Sequence, residues 1–148
     1  MNIVVHVPNG AGFHRRSLYI WIEPILTSRG HSVVEIATPS DKVGGYNPEE
    51  WGDVLVTTTP WWDDAITIAG RFRKAGKPWV YHPDGWDNVF PLQSAVFSGH
   101  HKNRPWPMVP DRVCVHGDHG KEALIRYRGI SSEKVVVTGG PRFDVYDG

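Results

Sequence analysis

The sequence predicts an α/β domain in three layers, helix, sheet and helix, around a mainly parallel sheet of about six strands. Three observations predict it. Short β-branched runs alternate with stretches of helical period along the chain. The helical stretches close on glycines, Gly30, Gly76 and Gly129, each followed by the next apolar run. The chain has 148 residues, 40% hydrophobic and 22% charged, enough for one domain to bury its own core without a disulfide or metal staple.

Residues 2–7, Asn-Ile-Val-Val-His-Val, form a β-branched run stopped by Pro8-Asn9-Gly10 and read as a buried strand. A helix over about residues 14–29 places Leu18, Trp21, Ile22, Ile25 and Leu26 at three- and four-residue spacing. Pro24 lies inside it, costs a backbone hydrogen bond and predicts a kink. Residues 31–37 are the second strand, followed by a polar loop through Asp41, Lys42, Gly44 and Gly45, and residues 53–58 are the third. The next helix, 62–75, turns Ile66, Ala69 and Phe72 inward, and residues 77–82 are the fourth strand. The pattern then lapses over 83–110, which is proline-rich and carries Trp86 and Trp106; a stretch of that length is usually functional or hides short helices. Residues 111–115 are a fifth strand, 120–128 a helix and 134–138 a sixth strand. Such alternation gives a parallel sheet, because each crossover lays a helix on one face. Ligands in such sheets bind beyond the carboxyl ends of the strands.

Composition excludes several classes. Lys+Arg and Asp+Glu both count 16, which argues against a disordered tail and against a bulk electrostatic grip on nucleic acid or anionic membrane. One cysteine, Cys114, makes an internal disulfide impossible, leaves no pair for structural zinc, and places the chain in the cytoplasm. No apolar run approaches the roughly 20 residues of a membrane span, and no signal-peptide pattern precedes the first strand. Seven Trp and 12 Pro are many for this length, and most sit outside the regular elements, where aromatic side chains tend to line a site.

The strand ends carry the candidate chemistry. After the first strand come Asn9, Gly10, Gly12, His14 and Arg15. Glycines at a strand-to-helix junction let backbone amides approach a ligand, with His14 facing it as base or donor; the plainer reading is a tight turn. It is no dinucleotide fingerprint, because Arg15 stands where the third glycine belongs. After the fourth strand, His82, Asp84, Trp86 and Asp87 can hold a sugar by hydrogen bonds and stacking, or simply form a capped turn. After the third, Thr59 or Asp63 can cap the next helix while Trp61 walls a cleft. His116, Asp118 and His119 resemble part of a metallo-hydrolase ligand run, but the remaining ligands are missing and no metal is expected. Cys114, mid-strand, reads as a small core residue.

Two stretches resemble a known family. Ser28-Arg-Gly-His-Ser-Val-Val34 is similar to a step common in GT-B glycosyltransferases. The last third is more specific: residues 110–117, then Lys121-Glu-Ala-Leu124, Gly129-Ile130, and Glu133 to Asp144 with its Thr-Gly-Gly-Pro-Arg-Phe-Asp ending. It resembles a segment of bacterial surface-polysaccharide glycosyltransferases, CDP-glycerol glycerophosphotransferases and, more distantly, UDP-N-acetylglucosamine 2-epimerases. Residues 38–109 match only in rhythm. The resemblance implies a Rossmann-like, acceptor-binding N-terminal half of a two-domain transferase, with a sugar nucleotide as co-substrate and a hydroxyl acceptor, but no other cofactor. It implies His14 as catalytic base, with Asp84 and His82 next. Asn9, Gly10, Gly12, Arg15, Thr59, Trp61, Trp86, His116, Gly139 and Arg142 would contact substrate.

The family's second half has no counterpart after Asp144, so the expected forms are half of a split transferase, a piece of a longer protein, or a non-catalytic small-molecule or protein-binding module. An isolated half would leave Phe13, Trp61, Trp62, Trp86 and Trp106 on an uncovered face, favouring a homodimer or a C-terminal half in trans.

Overall fold

The β-branched runs pair into one sheet. The structure, a computed structural model, describes residues 1–7, 22–36, 47–58, 63–82 and 108–139. Its strands are β1 (Asn2–His6), β2 (Ser32–Ile36), β3 (Val54–Thr57), β4 (Trp79–Tyr81), β5 (Arg112–Val115) and β6 (Val135–Val137). They lie in the order β2-β1-β3-β4-β5-β6, and every pairing is parallel. The α/β class and the six-stranded sheet expected from the sequence are present.

The helices flank the sheet because the crossovers run both ways along it. The described turns of α1, residues 22–28, bring Ile22 and Leu26 against Ile3, Val5, Val7 and Val54 on one face. On the other, α2 (Asp63–Lys74) packs Ile68, Ala69 and Phe72 against Val4, Ile36, Leu55 and Trp79. Next to it, α3 (Asp118–Arg128) sets Leu124 against Tyr81, Val113, Val115, Ile130 and Val135. Alternation along β1 produces this division: Val4 and His6 are two apart and share a face, while Ile3, Val5 and Val7 share the other. Phe72 and Trp79 are fully buried, each a contribution of about 1.5–3 kcal/mol by area.

Small corrections to the expected elements have local causes. In α2 the buried set is Ala65, Ile68, Ala69 and Phe72; Ile66 is only partly buried at the edge of the cluster. Helix α3 begins at Asp118 rather than 120, because extended Gly117 lets the chain turn straight into it after β5. Gly129, in the left-handed region at φ 64°, closes α3, its N–H reaching the Ile125 carbonyl oxygen. The kink expected at Pro24 concerns helical turns on both sides of it, and those before residue 22 lie outside the described residues.

Between β2 and β3 a short 3₁₀ turn, Pro48–Glu50, brings the chain under the sheet. Gly52 follows it, and a Cβ there would press on Val4 Cγ2 and sit 2.9 Å from the Pro48 carbonyl oxygen. Only a glycine lets this segment lie against the core. Among the described residues no helix is long and apolar enough to cross a membrane.

Candidate functional site

A parallel sheet has one place where its chain direction divides. From β1 the chain crosses to β2 on one side, and from β3 onward it builds the other. The crevice between the carboxyl ends of β1 and β3 is therefore the topological switch point, where open α/β sheets receive ligands. His6 ends β1 there, and across the ladder it is in register with Thr57, the last residue of β3. Thr58 follows, and α2, entered after β3, contributes Asp64 from its first turn.

These residues are polar and buried, His6 and Thr57 on the face that α2 covers and Thr58, one residue on, at the parity of the opposite face. His6, Thr57 and Thr58 are fully buried, and Asp64 nearly so. His6 Nε2 lies 3.4 Å from Asp64 Oδ2, close enough for electrostatic pairing but longer than a good hydrogen bond. The Asp64 Oδ1 atom accepts from the Ala65 amide at 2.8 Å. Burial, the strongest single influence on the Asp64 carboxyl, pushes its pKa up; the neighbouring His6 ring and the Ala65 amide together outweigh it and hold the carboxyl below the usual range. Thr57 Oγ1 accepts from the Trp79 indole at 2.9 Å and is thereby satisfied. Three atoms are not. Both ring nitrogens of His6 and Thr58 Oγ1 are buried with no hydrogen-bond partner among the described residues, Nε2 having only its 3.4 Å electrostatic contact with Asp64. Buried polar atoms are seldom left so, and each such case asks for an explanation.

The rest of the carboxyl edge is polar as well. His82, buried, follows β4 with its amide donating to the Thr57 carbonyl oxygen at 2.9 Å. His116 follows β5 and is half-buried. Gly139, at φ 72°, lies two residues beyond β6, after Thr138, whose amide donates to the Val115 carbonyl oxygen. The structure thus sets three of the residues singled out from the sequence, His82, His116 and Gly139, along one edge of the sheet. Asn9, Gly10, Gly12, His14, Arg15, Thr59, Trp61, Asp84, Trp86 and Arg142 lie outside the described residues, as do Phe13, Trp62, Asp87 and Trp106. Asp63, considered as a helix cap, is the first residue of α2 itself.

Sequence reasoning passed over His6, Thr58 and Asp64. A signal for His6 was present: it is the one strongly polar side chain between apolar neighbours in Ile-Val-Val-His-Val, a run otherwise fit only for burial. Nothing local marks Asp64, since acidic residues in a first helical turn are ordinary. Only the packing of α2 on β1 brings the two together.

Cys114 sits in β5, buried, and burial pushes its thiol pKa up despite a hydrogen bond with Thr138. That is the environment of a packing residue rather than a nucleophile. Among the described residues no three His, Cys, Asp or Glu side chains converge on a possible metal position.

No family model matches the chain, and no curated protein matches it. Among solved structures, a LacI family transcriptional regulator from Enterococcus faecium, with bound ribose, matches with a TM-score of 0.45 and 14% identity. The alignment covers 94% of this chain, which spans only 57% of the regulator's. A likeness this slight bears on neither activity nor ligand. The resemblance to GT-B glycosyltransferases is corrected by the sequence comparisons: no transferase family model matches the chain, and no curated transferase does. The reason lies in the motifs. Gly30 before β2 and Thr138-Gly139 after β6 mark helix stops and strand ends that any parallel α/β sheet requires, and the more specific Pro141-Arg142-Phe143-Asp144 lies outside the described residues.

Proposed function

We propose that this chain is a small-molecule-binding domain whose ligand enters at the switch point between β1 and β3. A single observation carries the proposal: the fully buried His6 ring at that point, whose Nδ1 has no partner among the described residues. An unmade buried hydrogen bond costs about 1–3 kcal/mol, and a ligand that completes it recovers that cost. His82, at the neighbouring strand end, supplies further polar surface. A cytoplasmic setting accords with the lone buried thiol of Cys114.

A thermal-shift screen of nucleotides, sugar nucleotides, sugars and polyols tests the proposal. A ligand at a hundred times its Kd stabilises the folded state by about 2.7 kcal/mol. For a domain of this size that is a rise in midpoint of roughly 5–10 °C. The rise is expected to vanish in His6→Ala, whatever that variant's own midpoint. No shift with any compound counts against small-molecule binding and leaves a protein partner as the alternative.

The His6–Asp64 pair favours one further reading, transfer of a nucleotide-activated group onto a hydroxyl of the bound molecule. A carboxylate behind an imidazole is a common arrangement for taking a proton from a hydroxyl. The sugar-nucleotide co-substrate would then be held by a second half in trans or by a second copy of the chain. Turnover of a sugar nucleotide by the chain with such a partner, lost in His6→Ala, would select this reading over simple binding.

A further inference from the structure

We propose that the β6 edge is an interface between two copies of the chain. Their β6 strands would pair antiparallel about a two-fold axis at Val136 and join the two six-stranded sheets into one.

The edge is open and unguarded. β6 is the last strand of the sheet, and its outer side pairs with no strand among the described residues. The Thr138 amide donates to the Val115 carbonyl oxygen. By alternation the N–H and C=O of Val136 also face β5, while those of Val135 and Val137 face outward. Val135-Val136-Val137 holds no charge and no proline, two devices that protect sheet edges from strand addition. β2, the opposite edge, carries Glu35 among its apolar residues. Val136 and Val137 are each 41% exposed, and they point to opposite faces of the sheet.

A second copy is the occupant that this edge and its helix favour. With Val136 on the axis, Val135 of one copy stands opposite Val137 of the other, and each such pair exchanges two hydrogen bonds through its outward groups. Val136 meets its own counterpart, and Lys134 meets Thr138, so no like charges oppose one another. Helix α3 lies over β5 and β6, and the same axis sets the two α3 helices antiparallel on one face. Each begins with Asp118 and ends with Arg126 and Arg128, so the acidic end of one approaches the basic end of the other. Tyr127 points the same way. It lies three residues beyond Leu124 and four beyond Ala123, both buried, so the helical period turns it with them, yet it is 68% exposed. A large aromatic side chain left uncovered on the inward stripe of a helix is one that an interface buries.

Sedimentation velocity of the full chain, from micromolar to millimolar concentration, is expected to show 16.6 kDa giving way to twice that mass. Val136→Lys and Val136→Glu each set like charges face to face at the axis, on a side chain already exposed in the single chain. Each should weaken association at least about tenfold. Mixed one to one, the two variants bring opposite charges together and should recover a dimer holding one copy of each, read by native mass spectrometry. Hydrogen exchange supplies the register: the Val135 and Val137 amides should be slow in the wild-type dimer and fast in either variant alone, while the Val136 and Thr138 amides stay slow. Tyr127→Ala, which alters no strand, should also weaken the dimer and keeps the test open if the charged variants fail to fold. A wild-type chain that stays at 16.6 kDa throughout overturns the proposal, and slow Val135 and Val137 amides in that monomer would assign the edge to another segment of the same chain. A dimer that withstands both charged variants, or folded variants that do not recover on mixing, places the interface elsewhere and overturns it as well.

Discussion

The two ends of the same strands are built to opposite rules. At the amino end, polar groups tie elements together. The Asn2 amide donates to the Asp53 carboxylate at 2.6 Å, and the Asn2 side chain donates to the Trp51 carbonyl oxygen at 3.1 Å. The Trp79 amide donates to Asp111 Oδ2 at 2.9 Å. Lys77 Nζ bridges the carbonyl oxygens of Glu49 and Gly52 at 2.7 and 2.6 Å. The exception is Glu49 Oε2, buried there with no partner among the described residues. At the carboxyl end, Thr57 is tied to Trp79, but both ring nitrogens of His6 and the Thr58 hydroxyl are buried without a hydrogen bond among the described residues. The difference teaches where stability is spent. One end locks register and the 3₁₀ turn; the other gives up about 1–3 kcal/mol per unmade bond, as a site awaiting a ligand does.

The contrast can be broken most severely at Trp79, which touches both ends. Its amide is held by Asp111, its indole by Thr57, and its body fills the core between. Trp79→Ala is expected to cost about 3–5 kcal/mol, read as a lowered midpoint in urea denaturation. Gly52→Ala strikes the amino end alone. The new methyl would press on Val4 and the Pro48 carbonyl, costing about 1–3 kcal/mol, and ligand binding should survive wherever the variant remains folded.

Asp64→Asn probes the carboxyl end through pH. Because the folded carboxyl is held below its usual range, its contribution is complete above the unfolded value, about pH 4, and is lost as pH falls through the folded value. Wild type should exceed Asp64→Asn by about 1–2 kcal/mol near neutrality, and the two stability curves should converge in acid. A constant gap down to the acid transition would show that the carboxylate's charge contributes nothing. The smallest expected effect has the opposite sign. Thr58→Val, measured by the same denaturation, should leave stability unchanged or raise it by up to about 1 kcal/mol, since an unpaired buried hydroxyl is removed at nearly constant volume. Destabilisation there would mean that Thr58 is structural, and the contrast between the ends would disappear.

Much of the frame was legible because it depends on local signals. Val-rich runs bounded by glycine and proline located all six strands to within two residues at either end, and Gly76 and Gly129 marked helix stops that the backbone confirms at positive φ. The inward face of α2 was partly misread because three- and four-residue spacing fits Ile66 and Ile68 alike; the angle at which the helix meets Leu55 and Trp79 selects Ile68. The site was less legible. The strand-end rule led to His82, His116 and Gly139, but His6 and Asp64 are 58 positions apart in the sequence and meet only because β1 lies beside β3 and α2 covers both. No spacing rule reads a contact made by topology. The short motifs that suggested a transferase failed for the complementary reason, since they encode stops and strand ends that many sheets share.

The interior position of β1 has a kinetic consequence. Its partners on both sides come later in the chain, β2 beginning at Ser32 and β3 at Val54. During synthesis at roughly 5–20 residues per second, the gap of some fifty residues between β1 and β3 takes about 3–10 s to fill. For that interval Ile3-Val4-Val5 has no second edge to pair with, and it is uncharged, β-branched and free of proline. Pairings this distant also place refolding of the finished chain toward the slower end of the millisecond-to-second range. The segment that carries His6 thus waits through that interval with one edge unpaired, which makes it a stretch in need of a chaperone's cover.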